Sequence, residues 1–175
     1  MQSLEEIIVG CKMGKQNAQK CLFERYSDRM FGVCLYYTRD TEEAEDILHD
    51  GFIRIFENIG KYEDGNFEAW MRKIFVNLAL MQYRRNKRMQ LVEDIAEIQE
   101  FENHFYQEKP MEYNELILLV KTLPPQYQLV FNLYAIEGYM HKEIAEMLNI
   151  DEGTSKSNLA RARKILQAKL KTNLV

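Results

Sequence analysis

Proline and glycine are both scarce in this chain: three Pro and eight Gly in 175 residues, with proline at only two places, Pro110 and Pro124-Pro125. A sandwich of short strands needs turn signals roughly every 8–12 residues, so that architecture is excluded and long helices are favoured. No uninterrupted apolar run approaches the roughly 18 residues of a membrane span, so no membrane insertion is expected. The three cysteines, Cys11, Cys21 and Cys34, are an odd number confined to the first fifth of the chain, without a Cys-x-x-Cys pair. They supply no disulfide framework, and with three scattered histidines they make no zinc set. The first residues, Met1-Gln2-Ser3-Leu4-Glu5-Glu6, are acidic and lack the basic-then-apolar order of a secretory signal. A reduced, cytoplasmic protein is expected.

Catalytic signatures are also missing. There is no Gly-rich phosphate loop, no Gly-x-Ser-x-Gly and no His-x-x-x-His pair. The carboxylates of residues 41–57 spread over more than two helical turns with no facing set. Neither an enzyme nor a bound cofactor or metal is expected.

What the chain does have is enough apolar residue, 46% against 29% charged, to bury a core. Its net charge of −4 argues against nucleic acid, but the distribution reverses that. Residues 1–92 carry 14 bases and 14 acids; residues 93–115 carry one base, Lys109, and eight acids; residues 116–175 carry eight bases and five acids. An acidic middle conceals a basic C-terminal end.

Nearly every segment reads as helix. Residues 16–37 are apolar at helical period through Leu22, Phe23, Tyr26, Met30, Phe31, Val33 and Cys34. Thr41 opens the next helix, with Glu42 and Glu43 in a first turn that favours carboxylates. Ala44, Ile47, Leu48, Gly51, Phe52, Ile55 and Phe56 form its unbroken apolar stripe. Residues 60–66 (GKYEDGN) read as a loop. A third stripe then runs along Phe67, Trp70, Met71, Ile74, Phe75, Leu78 and Ala79 into Tyr83-Arg84-Arg85. Residues 93–115 read as an acidic linker. Pro124-Pro125 suits the first turn of a helix that stops near Gly138. A short helix over 141–148, a turn at Asn149-Ile150 and a last helix over about 152–170, with Asp151 as its cap, complete the chain.

The last two helices have the length of a helix-turn-helix. Small Ala145 permits a close crossing, and Ile144, Leu148, Ile150 and Leu159 seal the angle. From Gly153 onward there are six cations, Lys156, Arg161, Arg163, Lys164, Lys169 and Lys171, and no acid. Such self-repulsion suits a phosphate partner, although a solvated basic tail would have the same composition. Residues 72–88 repeat the pattern with Arg72, Lys73, Arg84, Arg85, Lys87 and Arg88, again without an acid. Here the cations share a segment with Phe67, Trp70, Phe75 and Tyr83, the combination of charge and flat faces that unpaired nucleic acid requires. Met71, Ile74 and Phe75 belong to the core and Trp70 fits core best, whereas Tyr62, Phe67, Asn77 and Tyr83 remain open.

These residues carry a resemblance. Ala44-Glu45-Asp46-Ile47 with Phe52, then Phe67-Glu68-Ala69-Trp70 with Ile74, Asn77 and Tyr83-Arg84-Arg85, resembles region 2 of the sigma-70 family, in the style of its extracytoplasmic-function (ECF) group. Leu123-Pro124, Phe131, Glu137-Gly138-Tyr139, Lys142-Glu143-Ile144-Ala145, Gly153-Thr154, Lys156-Ser157 and Arg161-Ala162-Arg163 resemble region 4. The resemblance covers residues 16–90 and 116–170, in order, with a linker between.

It implies an all-α chain of two helical domains joined by an acidic linker: region 2 over residues 1–92, the linker over 93–115, and the region 4 helix-turn-helix over 116–175. It implies a promoter-specificity factor that binds bacterial core RNA polymerase, touching the β′ clamp helices through Glu45, Asp46, His49, Asp50 and Arg54 and the β flap through region 4. Tyr62, Phe67, Trp70, Asn77, Tyr83, Arg84 and Arg85 would bind the melted −10 strand and capture an extruded base. Lys156, Ser157, Ala160 and Arg161 would face the −35 duplex, flanked by Asn158 and Lys164. The linker would run along the nucleic-acid channel of the polymerase, where its acidity would compete for basic walls. An anti-sigma factor is the expected regulator. A stand-alone helix-turn-helix regulator is the alternative; it accounts for residues 116–175 but has no use for the aromatic and basic segment 67–88.

Three positions depart from the family pattern. Ser155 stands where many members have an apolar Val, which weakens the seal behind the recognition helix. Asn149 replaces a common turn Gly, and Asn tolerates the left-handed conformation. His49 stands where Gln is frequent.

Overall fold

The structure is a computed structural model and describes residues 2–90 and 117–173. The segment 93–115, assigned from sequence to the linker, lies outside the described residues. The chain divides into two units. Among the described residues all regular structure is helical.

The first unit holds α1 (Leu4–Lys12), α2 (Gln16–Leu35), α3 (Thr41–Asn58), a 3-10 turn (Ile59–Lys61) and α4 (Phe67–Gln90). Helix α1 has no counterpart in the sequence reading. A capping box starts it: the Glu6 N–H donates to Ser3 Oγ at 3.2 Å, and the Ser3 N–H donates to the Glu6 carboxylate at 2.9 Å. Helix α1 buries Ile7, Ile8 and Cys11 against α2. In α3 the cap is Asp40, which accepts the Glu43 N–H at 2.8 Å, and Thr41 is the first helical residue. The apolar stripe is buried from Ala44 to Ile55, as its spacing predicts.

Helix α4 crosses α3 where α3 has no side chain. A Cβ at Gly51 would overlap the Phe75 ring, so glycine is what lets the two backbones approach. Phe75 is fully buried and meets Phe52 edge-on at 5.7 Å, while Phe23 closes on Phe52 from α2 at 4.7 Å. Each ring of this size contributes roughly 2–3 kcal/mol of apolar transfer. At the far end the Asn86 amide donates to Glu43 Oε1 at 2.6 Å, and with Gly51 against Phe75 this contact shows α3 and α4 running antiparallel. The Arg29–Glu68 ion pair ties α2 to the start of α4.

The second unit holds α5 (residues 117–121), α6 (Pro125–Phe131), a π turn (Asn132–Ile136), α7 (His141–Leu148) and α8 (Glu152–Asn173). Pro125 occupies the first turn of α6, where its missing N–H has no helical partner to lose. The helix does not run evenly to Gly138 as its periodicity suggests. It widens over Asn132–Ile136, and the Glu137 N–H reaches back to the Asn132 carbonyl at 3.0 Å. Gly138 then leaves it at φ 79°. Val120, Leu123, Ala162 and Leu166 form one cluster of the core, with Leu119, Tyr127, Phe131 and Ile165 packed against it. Asn149 takes the left-handed conformation at φ 53° and ψ 54°, so the turn survives without glycine. Of the four seal residues, Ile144 and Leu159 are buried on either side of it, while Leu148 and Ile150 are only half-buried.

Candidate nucleic-acid interfaces

Helix α8 divides its residues cleanly. Ser155, Asn158, Leu159, Ala162 and Leu166 are buried at helical spacing, while Lys156, Ser157, Ala160, Arg161 and Lys164 are exposed on the opposite side. Five of the six −35 candidates therefore share an open face. The sixth does not: Asn158 is only 4% exposed, because it stands three residues after Ser155 and four before Ala162 on the inward stripe. Its polarity suggests a flanking contact, but its register removes it from the surface.

Three side chains of the open face have partners within the unit. Lys156 Nζ lies 2.7 Å from the Glu152 carboxylate, whose pKa is lowered chiefly by that hydrogen bond and charge. The Ser157 hydroxyl donates to the Thr154 carbonyl at 3.0 Å, and Arg161 leans on Tyr127 of α6. Behind them Ser155 is fully buried, yet its hydroxyl is satisfied by His141 Nδ1 at 2.9 Å. The seal thus contains a directed polar contact where the sequence suggests only a weakened apolar one.

In the first unit the loop before α4 is closed by aromatic packing. Tyr62 meets Phe67 edge-on at 5.0 Å and Trp70 at 5.5 Å, and Phe67 lies nearly parallel to Trp70 at 5.5 Å. The Tyr62 hydroxyl donates to the Gly65 carbonyl at 2.6 Å, and Lys12 Nζ donates to the Tyr62 carbonyl at 2.6 Å. Asn66 caps α4 by accepting the Ala69 N–H at 3.0 Å. Phe67 is 3% exposed and also touches Tyr26, so it is the floor of this cluster and cannot stack on a base without leaving it. That corrects its assignment as a strand contact. Tyr62 and Trp70 are half-buried.

Further along α4, Trp70, Lys73, Asn77, Met81 and Arg84 stand at helical spacing on one stripe about 21 Å long. Asn77, Arg84 and Arg85 are exposed, and Tyr83 is half-buried. That burial raises the Tyr83 phenol above its ordinary value, because desolvation disfavours the anion. Met81, which sequence reasoning misses, is 51% exposed in the middle of this stripe. An open thioether among cations is a surface that an unstacked base would cover.

On the other side of the unit, Glu45, Asp46, His49, Asp50 and Arg54 are all exposed along α3. Ile53 also escapes the sequence reading. It is 55% exposed among these charges, an apolar side chain the fold does not bury.

Two family models match, Sigma-70 region 2 over residues 22–89 and Sigma-70, region 4 over residues 113–166. The chain belongs to the sigma-70 family, in its extracytoplasmic-function group. The ECF RNA polymerase sigma factor SigW of Bacillus subtilis is 27% identical over 175 residues, covering 91% of this chain and 92% of its own. The ECF RNA polymerase sigma factor SigE of Mycolicibacterium smegmatis is 28% identical over 152 residues; that match covers 83% of this chain but 59% of the longer SigE chain. Among solved structures, the sigma factor RpoE of Bartonella quintana, crystallised with the anti-sigma factor NepR, superposes with a TM-score of 0.62. That match has 22% identity and covers 87% of this chain and 96% of that one, and it supports the fold.

The two matched regions of this sigma factor fall on the two units, so α4 lies in region 2 and the α7–α8 pair in region 4. A stand-alone helix-turn-helix regulator would leave the region 2 match without a purpose. Among the described residues, no helix is long and apolar enough to cross a membrane, and no group of three or more His, Cys, Asp or Glu could hold a metal.

Proposed function

We propose that this sigma factor binds bacterial core RNA polymerase and directs it to promoters by reading duplex DNA at the −35 element and unpaired DNA at the −10 element. The observation that carries this reading is the open face of α8, where Lys156, Ser157, Ala160 and Arg161 stand exposed on a helix with no carboxylate from Gly153 onward. Such a face gains affinity from phosphates and specificity from base edges. Lys164 flanks it.

The −10 strand is assigned to the α4 stripe, with Trp70, Asn77 and Arg84 as contacts and Tyr62 at its foot; Tyr83 and Arg85 flank that stripe and are assigned to the same strand. Glu45, Asp46, His49, Asp50 and Arg54 form the surface for the β′ clamp helices, and region 4 meets the β flap. We assign domain limits of 1–92 and 116–175, with 93–115 as the connecting segment. The protein acts in the cytoplasm, performs no chemistry of its own and needs no cofactor. An anti-sigma factor, as NepR is for the Bartonella sigma factor, is its expected regulator.

In vitro transcription tests this directly. Purified core polymerase is supplied with a promoter library, with and without the full chain. New transcripts with fixed start sites that depend on the chain are the expected result and would deliver the promoter motif. Absence of polymerase binding would overturn the reading.

A further inference from the structure

The contact between His141 and Ser155 lies on no proposed DNA-contacting face, yet it is built from three elements. Ser155 of α8 is fully buried, one residue before Lys156. Its hydroxyl meets Nδ1 of His141, the first residue of α7, at 2.9 Å. The imidazole is also covered by Tyr134 of the π turn, stacked at 4.6 Å with planes 20° apart. Arg163, two turns along α8 from Ser155, places its guanidinium 5.6 Å from the centre of the Tyr134 ring. The clamp therefore begins and ends on α8 and passes through α7 and the π turn.

Apolar contacts in a seam are non-directional and permit small rotations of one helix on another. A hydrogen bond depends steeply on distance and angle, and a stacked ring pair fixes a plane. Base readout needs side chains held within roughly 0.5 Å and 10–20° of a productive pose. Helical widening of the π type occurs mostly as single turns and often at functional places, and here the widened turn carries Tyr134.

We infer that His141 and Tyr134 are positioning residues for promoter recognition: together with buried Ser155 they set the angle at which α8 presents Lys156, Ser157, Ala160 and Arg161 to the −35 duplex. They determine specificity without touching a base. This inference rests on the preceding assignment of α8 to −35 recognition.

The test uses the full chain assembled with core polymerase. Two templates are compared: a library randomised over the −35 element, and a template pre-melted at −10 that lacks a −35 element. His141→Phe keeps a ring on Tyr134 and removes the bond; His141→Asn keeps a polar atom near the Nδ1 position and removes the ring; Ser155→Ala removes the hydroxyl. A fourth variant, His141→Phe with Ser155→Val, restores an apolar seam and guards against a chain that fails to fold.

His141→Phe and Ser155→Ala are expected to lose about fivefold in preference for the selected −35 sequence over its single-base variants, the effect of one directed hydrogen bond. Initiation on the pre-melted template should stay within about twofold, and His141→Asn should recover part of the preference. The apolar double variant should fold and initiate without regaining it. Unchanged −35 preference in His141→Phe and Ser155→Ala, alongside loss in Arg161→Ala, would overturn the inference and leave the function intact. Equal losses on both templates would also overturn it, as general damage to the fold. A wild-type chain with no −35 preference at all would overturn both the inference and the reading beneath it.

Discussion

Arg161 Nη1 donates to the Tyr127 hydroxyl at 3.3 Å, and its guanidinium carbon lies 5.9 Å from the centre of the Tyr127 ring. Tyr127 packs against the core of the second unit, so α6 holds an exposed cation of α8 before DNA is present. A preset guanidinium gives up less side-chain entropy when it engages a base. Arg161→Ala should cost roughly 1–3 kcal/mol at one −35 base pair and much less at the others. Competition binding against single-base −35 variants measures this; an equal loss on every variant would reduce Arg161 to a phosphate contact. Tyr127→Phe, which keeps the ring, should lose only the smaller share of one hydrogen bond, about 1 kcal/mol or less.

Glu152 opposes the cation beside it. Its carboxylate holds Lys156 in the free protein and would stand near phosphates in the bound one. Glu152→Gln should raise affinity for promoter duplex about 2–5-fold, in line with the small worth of an exposed pair. The dependence on salt should also steepen, because a released Lys156 displaces a further counterion. Fluorescence anisotropy across a salt series would show both effects; unchanged affinity and slope would mean that Lys156 does not reach the DNA.

Much of this architecture is legible in the sequence because period and burial agree. The α3 stripe from Ala44 to Ile55 and the exposed charges between its members follow from one spacing. Asn149 is legible too, since few residue types tolerate a left-handed turn. Other features escape for physical reasons. Helix α1 is only nine residues long, too short for periodicity to stand out, and its one clear signal is the capping box of Ser3 with Glu6. Chemical type misleads at Phe67 and Asn158: an aromatic suggests stacking and an amide suggests bonding, but helical register places both inward. Ile53 and Met81 escape for the opposite reason, since an apolar residue in a charged stretch reads as core until its exposure is known. The Ser155–His141 bond joins residues 14 apart across a turn, and no local pattern encodes it.

The α3 face offers a separate test of polymerase binding. Asp46→Arg should weaken the complex with core polymerase while moving stability by no more than about 0.5 kcal/mol, as is usual for an exposed substitution. Ile53→Ala should weaken it on the order of tenfold if Ile53 is an apolar anchor ringed by charge. Binding of labelled chain to core polymerase, with thermal melting as the control, separates the two effects. Unchanged affinity in both variants would return this face to simple solvation.

Cys34 gives the fold a dependence on alkaline pH. Burial pushes its thiol up to about 12, from an ordinary value near 9, because the thiolate would have to form in a dry interior. Below pH 9 the thiol is neutral in both the folded and the unfolded chain and has no effect on stability. Above it the unfolded chain releases the proton while the folded chain retains it. Stability then falls by about 1.4 kcal/mol per pH unit until the folded thiol also ionises. Cys34→Ala should remove that slope and leave a pH-independent cost for the vacated space. Tyrosine and lysine titrations are common to both chains and cancel in the comparison. Urea unfolding at about pH 8, 10 and 11 should therefore show the wild type losing its advantage over the variant by about 2–3 kcal/mol across that range. A constant difference would mean that water reaches the thiol and that the α2 helix is less tightly buried than its packing indicates.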